Sequence, residues 1–364
     1  MKTNSIKKYL ALGLTLAGAV FTPNLQAQIT EVTINGGNAS SAWVWNEVTN
    51  AFTSVTDISA APYASSTVRS YTAYFSGLPG SSPNVQLDFI LSGAVGGLQD
   101  LTAVNSSSYA NTETNAVGIA TNTPVVAISS TTPEAVGLSS SIFNEAKTLV
   151  APYVFIKNNN TALTPGLLNV TNLTQRQAAY LVNSAGPNFH SAYIGGPFTN
   201  DSVYFVGRNT ASAVRTEIDA NIYFTGTPAT YTTNSSGQPI FDTAGGQSSG
   251  SNIRALVGVI TNAIGTVAIQ DVKTFTPLAY EGVPYAASNV VNGTYPLWGY
   301  EHWYTLKSGS LGPNGNQQAV INQLLSFVTN STQQASSIFT GGFVSYGALN
   351  VQRSVDGGPI TWIH

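Results

Sequence analysis

The stretch 203-VYFVGRNTASAVR-215 decides the fold. It begins as an apolar β-like run, stops at Gly207 and Arg208, passes through short hydroxyl residues and enters a helical pattern at Val214. A strand that feeds a helix N-terminus presents backbone N–H groups without partners inside the helix, together with the positive end of the helix dipole. Both favour an anion. Ser212 can add a hydroxyl, and Arg208 and Arg215 can balance charge, so the segment is a candidate oxyanion cradle.

Two further junctions share this design. Thr33-Ile34-Asn35-Gly36-Gly37 leads through Asn38, Ser40 and Ser41 into a helical pattern carrying Trp43 and Trp45, and the run 88–91 leads through Ser92 and Gly93 into Leu98 and Leu101. Ligands of open α/β sheets collect at the carboxyl ends of strands, so three such junctions can converge on one small anion. Taken singly, a Ser or Asn at a helix start is most often an N-cap.

Around these junctions, strand-like runs lie at 29–34, 85–91, 125–128, 153–156, 202–206, 265–269 and 299–306, alternating with helical patterns at 41–52, 141–149, 174–182, 214–223, 253–263 and 317–328. The alternation predicts an α/β fold with mainly parallel sheets flanked by helices. No fixed-period repeat is visible.

Residues 1–27 read as a cleaved secretory signal peptide: Lys2, Lys7 and Lys8, an apolar run from Tyr9 to Phe21, then Pro23 and Ala27. Its loss leaves 10 basic against 16 acidic residues, a net charge of −6 that makes nucleic acid and anionic membrane poor partners. The sequence has no cysteine, so no thiolate metal site, disulfide or lipidated cysteine is expected, and the destination is periplasm or medium. The three histidines show no metal spacing, the carboxylates are scattered, and no metal or cofactor is expected. Only 8% of residues are charged, and between Gln28 and Ala146 the single basic residue is Arg69, for which a surface role is the simplest reading.

One rival site is present. Gly246-Gln247-Ser248-Ser249-Gly250 matches the nucleophile-elbow pattern, and Asp271 and His302 follow in the chain order of a serine-hydrolase triad. An elbow needs a buried strand before it, whereas Asp242-Thr243-Ala244-Gly245 reads as a turn.

Several segments together resemble the phosphate-type periplasmic solute-binding proteins of ABC transporters. VTINGGNASSAWVWNEVTNAF (32–52) is similar to the family's first strand, glycine pair and helix, and LSGAVGGLQDL (91–101) to its glycine-rich second junction. NVTNLTQRQAAYLV (169–182), VGRNTASAVR (206–215), AIGTVAIQD (263–271) and LAYEGVPYAASNVVNGTYPLWGYEHWY (278–304) follow in the family's order. The resemblance implies a two-lobe Venus-flytrap architecture, with residues 28–151 and 297–364 forming lobe 1 and 152–296 forming lobe 2.

It also implies a monomeric, non-enzymatic receptor that traps phosphate or another small oxyanion in the interlobe cleft and delivers it to an ABC transporter permease. The ligand contacts it implies are Asn38, Ser40, Ser92, Gly93, Ser129, Arg208, Ser212 and Arg215. The departures carry information. Ala213 and Val214 stand where the family has Gly and Thr, and Ser129-Ser130 stands where the family places an Asp that accepts a hydrogen bond from protonated phosphate. A flytrap scaffold without anion binding, serving a structural or cell-surface role, is the alternative these departures keep open.

Overall fold

The computed structural model describes residues 29–37, 48, 50–62, 64–65, 68–90, 93–103, 124–307, 312–330 and 342–363. The expected signal peptide, Asn38, Ser40 and Ser92 lie outside them, as does most of the 41–52 helical pattern, of which residues 48, 50 and 51 are helical.

Nine strands form the path of one large sheet: β1 (Thr30–Gly36), β2 (Thr53–Asp57), β3 (Val68–Tyr74), β4 (Val85–Ile90), β5 (Val126–Ser129), β6 (Phe143–Lys157), β7 (Tyr204–Val206), β8 (Ala263–Ala268) and β9 (Trp298–Leu306). Their spatial order is β2-β3-β4-β1-β5-β9-β6-β8-β7. Along this path the pairing is parallel in β4–β1–β5 and β8–β7. The remaining neighbours on this path are antiparallel.

β6 joins the two halves of the sheet. Over Phe143–Pro152 it pairs with β9, and over Tyr153–Lys157 with β8. The change of partner falls at Pro152, and the two crossings are tied there: Tyr153 N–H donates to Leu297 O at 2.8 Å and the Tyr295 hydroxyl to Tyr153 O at 2.7 Å. The helix expected at 141–149 is therefore strand from Phe143 on, after a short 3₁₀ turn at Ser140–Ile142. All nine residues of β9 are buried, so its free backbone groups need a strand on each side, and tertiary pairing overrides the local helical pattern of 141–149.

Helices α1 (Ala94–Ala103), α2 (Gln175–Ser184), α3 (Ala213–Asn221), α4 (Gly250–Val257) and α5 (Gly315–Val328) cover the sheet. Capping boxes start α2 (Thr174 with Gln177) and α5 (Asn314 with Gln317). α5 buries Val320, Ile321, Leu324 and Val328 and ties itself to β1 by a bond from Gln317 Nε2 to Glu31 O of 3.0 Å. α1 is seated by glycine against glycine: a Cβ on Gly97 would lie 2.7 Å from Gly36 Cα. That contact sets how closely α1 approaches the end of β1.

Candidate functional site

A cavity of about 500 Å³ opens at the carboxyl ends of these strands. The N-termini of three helices border it: α1 through Gly93 and Ala94, α3 through Ser212, Ala213 and Val214, and α4 through Ser248, Ser249, Gly250 and Ser251. Gly37 supplies the end of β1. Described residues of all three sequence junctions therefore line one cavity. Gly93 has φ +108°, a conformation that suits glycine, and a Cβ there would lie 3.5 Å from Ala211 O of the opposing loop.

Arg208 follows β7 and lines the cavity. Its Nε donates to Gln247 O at 3.1 Å and its Nη2 to Ser248 O at 2.9 Å, so the side chain is held against the start of α4. Burial pushes the guanidinium below its ordinary pKa, and the charge of Asp271 opposes that shift. Among the described residues no carboxylate forms an ion pair with Arg208; Asp271 pairs with Arg254 at 2.8 Å. A partly desolvated guanidinium without a bonded counter-ion favours an incoming anion.

Ser212, 5% exposed at the cavity, is the N-cap residue of α3, yet its hydroxyl makes no capping bond. Ala213 and Val214 remove the side-chain donor expected of a Thr, but the helix start keeps its backbone N–H groups. α4 adds hydroxyls at Ser248, Ser249 and Ser251, with Ser249 also accepting from Asn252 N–H at 3.2 Å as an N-cap.

Two expected contacts are placed elsewhere. Ser129 is fully buried, its hydroxyl donating to Thr131 O at 3.1 Å and accepting from Thr131 N–H at 3.2 Å, so the neighbouring Ser130 is the residue that lines the cavity. Arg215 points away, with Nε 3.4 Å from Asp219 and Nη1 donating to Gly245 O at 3.2 Å, and braces the 242–247 turn against α3. Arg69 pairs with Asp57 at 3.3 Å on the surface.

The site contains a carboxylate that the sequence reading did not find. Glu301 on β9 is 2% exposed and lines the cavity. His302 pairs with Ser129 in the antiparallel register, so Glu301 stands one step on, beside Ser130. It occupies the surroundings in which the expected Asp is missing. Alternation along β9 sends its neighbours the other way: Tyr300, His302 and Tyr304 line a second cavity of about 540 Å³.

That second cavity also accounts for His302. Its Nδ1 lies 2.5 Å from Glu145 Oε1 and its Nε2 3.6 Å from Asp356 Oδ1. With His302 on the opposite face of β9 and Asp271 paired to Arg254, the candidate triad at Ser248 does not assemble. Among the described residues no group of three or more His, Asp or Glu could hold a metal ion.

A large mixed sheet whose two halves share one crossing strand, with helix N-termini gathered at the strand ends, defines the periplasmic-binding-protein-like fold. Within that class the chain has the fold of the phosphate-type substrate-binding proteins of ABC transporters. It is similar to an ABC-type phosphate transport receptor from Vibrio cholerae, with a TM-score of 0.52 and 17% identity over 86% of this chain and 99% of the other. A Clostridium perfringens protein named for phosphate ABC transport and solved with bound phosphate gives a TM-score of 0.53 and 13% identity, over 87% and 99% of the two chains.

In sequence, the chain is 26% identical over 114 residues to the phosphate-binding protein PstS of Bacillus subtilis; the match spans 30% of this chain and only 35% of that relative. No family model matches. Among the described residues no helix is long and apolar enough to cross a membrane.

Proposed function

We propose that this chain is an exported, non-enzymatic solute receptor that binds phosphate or a related small oxyanion. Its lobe 1 comprises residues 28–151 and 297–364 and its lobe 2 residues 152–296, with the ligand in the cleft between them. Residues 1–27 act as the signal peptide, and the mature monomer hands its ligand to an ABC transporter permease outside the cytoplasm. The observation that carries the reading is Arg208, a largely desolvated cation that faces the cavity with no carboxylate paired to it among the described residues. Three helix N-termini and the Ser212 hydroxyl surround the same space. The names of the fold neighbours and of the Bacillus subtilis relative support the same ligand class.

Glu301 refines the ligand. A buried carboxylate repels a fully ionised oxyanion but accepts a hydrogen bond from one that carries a proton. Hydrogen phosphate and hydrogen arsenate meet that condition, and sulfate does not.

Titration calorimetry of the mature protein tests the proposal. Phosphate binds one to one, and Arg208→Ala weakens it on the order of a hundredfold, the size of a lost bond to a charged group. Absence of heat and of any thermal shift with phosphate, arsenate, sulfate and molybdate would sink the anion reading and leave the scaffold alternative.

A further inference from the structure

The Gly246-Gln247-Ser248-Ser249-Gly250 pattern has no triad to serve, yet both of its glycines are required by their surroundings. Gly246 has φ +118°, and a Cβ there would clash with Arg208 O. A Cβ on Gly250 would clash with Asp271 Oδ2, the carboxylate that pairs with Arg254. The pattern is therefore shaped to lie against the Arg208 backbone on one side and the Asp271 side chain on the other.

Hydrogen bonds join it to the strand end that carries Arg208. Gln247 N–H donates to Gly207 O at 2.9 Å and Asn209 N–H to Gln247 O at 3.1 Å. Among the described residues the Arg208 guanidinium bonds only to Gln247 O and Ser248 O. An anion that meets Arg208 in the cavity therefore meets the start of α4 beside it, where the N–H groups of Gly250 and Ser251 have no partner inside the helix.

The hydroxyls at that start have protons left to give. Ser248 Oγ accepts from Asn252 Nδ2 at 3.3 Å and donates to nothing among the described residues. Ser249 Oγ accepts from Asn252 N–H at 3.2 Å and lies 2.8 Å from Ser251 Oγ, so one proton makes the bond between these two hydroxyls and the other is unspent. Ser248 and Ser251 are exposed where they line the cavity. Ser212, 5% exposed on the same cavity, has a hydroxyl with no hydrogen-bond partner among the described residues. After it, Ala213 and Val214 give α3 no further side-chain donor.

We propose that the oxyanion is held at the start of α4, beside Arg208, with Ser248 and the Ser249–Ser251 pair donating the hydroxyl protons that the start of α3 lacks beyond Ser212. This inference rests on the anion reading of the same cavity and adds ligand-binding residues to it. The stretch that matches a hydrolase elbow is then an anion loop: its serines donate protons to the ligand and none of them attacks it.

Titration calorimetry of the mature protein with inorganic phosphate is the test. Ser248→Ala weakens phosphate at least about tenfold, the worth of one bond to a charged group. Ser248→Thr, which keeps the hydroxyl, keeps most of the affinity, and Ser251→Ala costs less than Ser248→Ala because Ser249 retains a proton in its place. Ser248 is exposed, so the melting temperature of the ligand-free Ser248→Ala protein stays at the native value. Unchanged phosphate affinity in Ser248→Ala overturns the inference, and the anion reading stands if Arg208→Ala still weakens binding. Covalent labelling of Ser248 by a fluorophosphonate also overturns it, since the residue is then a nucleophile. If the native protein binds no phosphate, arsenate, sulfate or molybdate, both readings fall together.

Discussion

Glu217 of α3 and Asp356 of the C-terminal segment face one another in the interior, Glu217 0% exposed and the Asp356 side chain 4% exposed, with the Gly357 N–H acting on Glu217 and His302 Nε2 3.6 Å from Asp356 Oδ1. Such a contact becomes a hydrogen bond only when one of the two groups holds a proton. Burial pushes the Glu217 carboxyl well above its ordinary pKa, and the charge of Asp356 adds to the rise, which Arg353 opposes. The tail is also pressed on α3 next door: a Cβ on Gly357 would lie 2.2 Å from Ala220 Cβ. Helix α3 thus begins at the cavity and rests, one turn on, against the Asp356 carboxylate.

The pH dependence of stability follows from these groups with a definite sign. Burial alone would lower His302, but the bonds and charges of Asp356 and Glu145 outweigh it and raise its pKa from 6.5 to about 8. A histidine raised on folding gives stability that is fully present below its unfolded value and lost as pH climbs through the folded one, here roughly 2 kcal/mol between about pH 6.5 and 8. Asp219, raised by burial to about 6 although Arg215 opposes the rise, and Glu217 act in the same direction, because the folded state holds protons the unfolded state releases. The melting temperature therefore falls from about pH 6 to about pH 9. Glu217→Gln raises it at the alkaline end. A melting temperature that climbs over this range contradicts the assignment.

The glycine contact beneath α1 is open to a test in which two effects have opposite signs. Gly97 lies inside a helix, where alanine is favoured over glycine by about 1 kcal/mol. A Cβ at that position meets Gly36 Cα at 2.7 Å and Gly36 N at 3.0 Å, backbone atoms that cannot swing aside. Overpacking of this kind costs about 1–3 kcal/mol. Gly97→Ala accordingly lowers the urea midpoint, and a raised midpoint shows that α1 can lift from β1 freely.

How much of this is legible in the sequence depends on whether the signal is local. The strand, Gly207, Arg208 and Ser212 order is a local pattern, and it brings Arg208 and Ser212 to the cavity because a helix start follows directly. Glu301 is not legible. It sits in Trp298-Gly299-Tyr300-Glu301-His302-Trp303-Tyr304, which reads as a core strand, and its place beside Ser130 arises from pairing with a distant strand. Gln247-Ser248-Ser249 reads equally as an elbow or a helix start, and only the turn at Asp242, where Gly245 N–H donates to Asp242 O at 3.1 Å, separates them. The 141–149 misreading has the same origin as Glu301, since β6 is strand on account of β9.

Lys157 closes β6 with its ammonium turned inward. Nζ donates to Leu167 O at 2.5 Å, Val170 O at 2.9 Å and Leu168 O at 3.3 Å, and burial pushes its pKa below the ordinary value. These carbonyls end a short 3₁₀ turn, Pro165–Leu167, that carries no other basic residue. Lys157→Met keeps the length and apolar stem but strands the carbonyls, at a cost of about 3 kcal/mol. A thermal melt unchanged by the substitution shows that the turn holds itself.

Glu301 gives the sharpest test of ligand choice. Its strand is pinned on both sides, to Ser129 and Ile128 of β5 through His302 and Trp303, and to Leu149 of β6 through Glu301 itself. A bulge between Glu301 and His302 on the β6 side sets the face each side chain takes. Glu301→Gln is nearly isosteric and replaces an acceptor-only, charged group with one that also donates. Repulsion of a fully ionised anion disappears, and the bond that only a protonated ligand can make loses its charge assistance. The ratio of phosphate to sulfate affinity therefore falls at least about tenfold in the variant, with sulfate gaining and phosphate losing. Competitive calorimetry on the two anions measures that ratio, and an unchanged value removes Glu301 from any part in reading the ligand's proton.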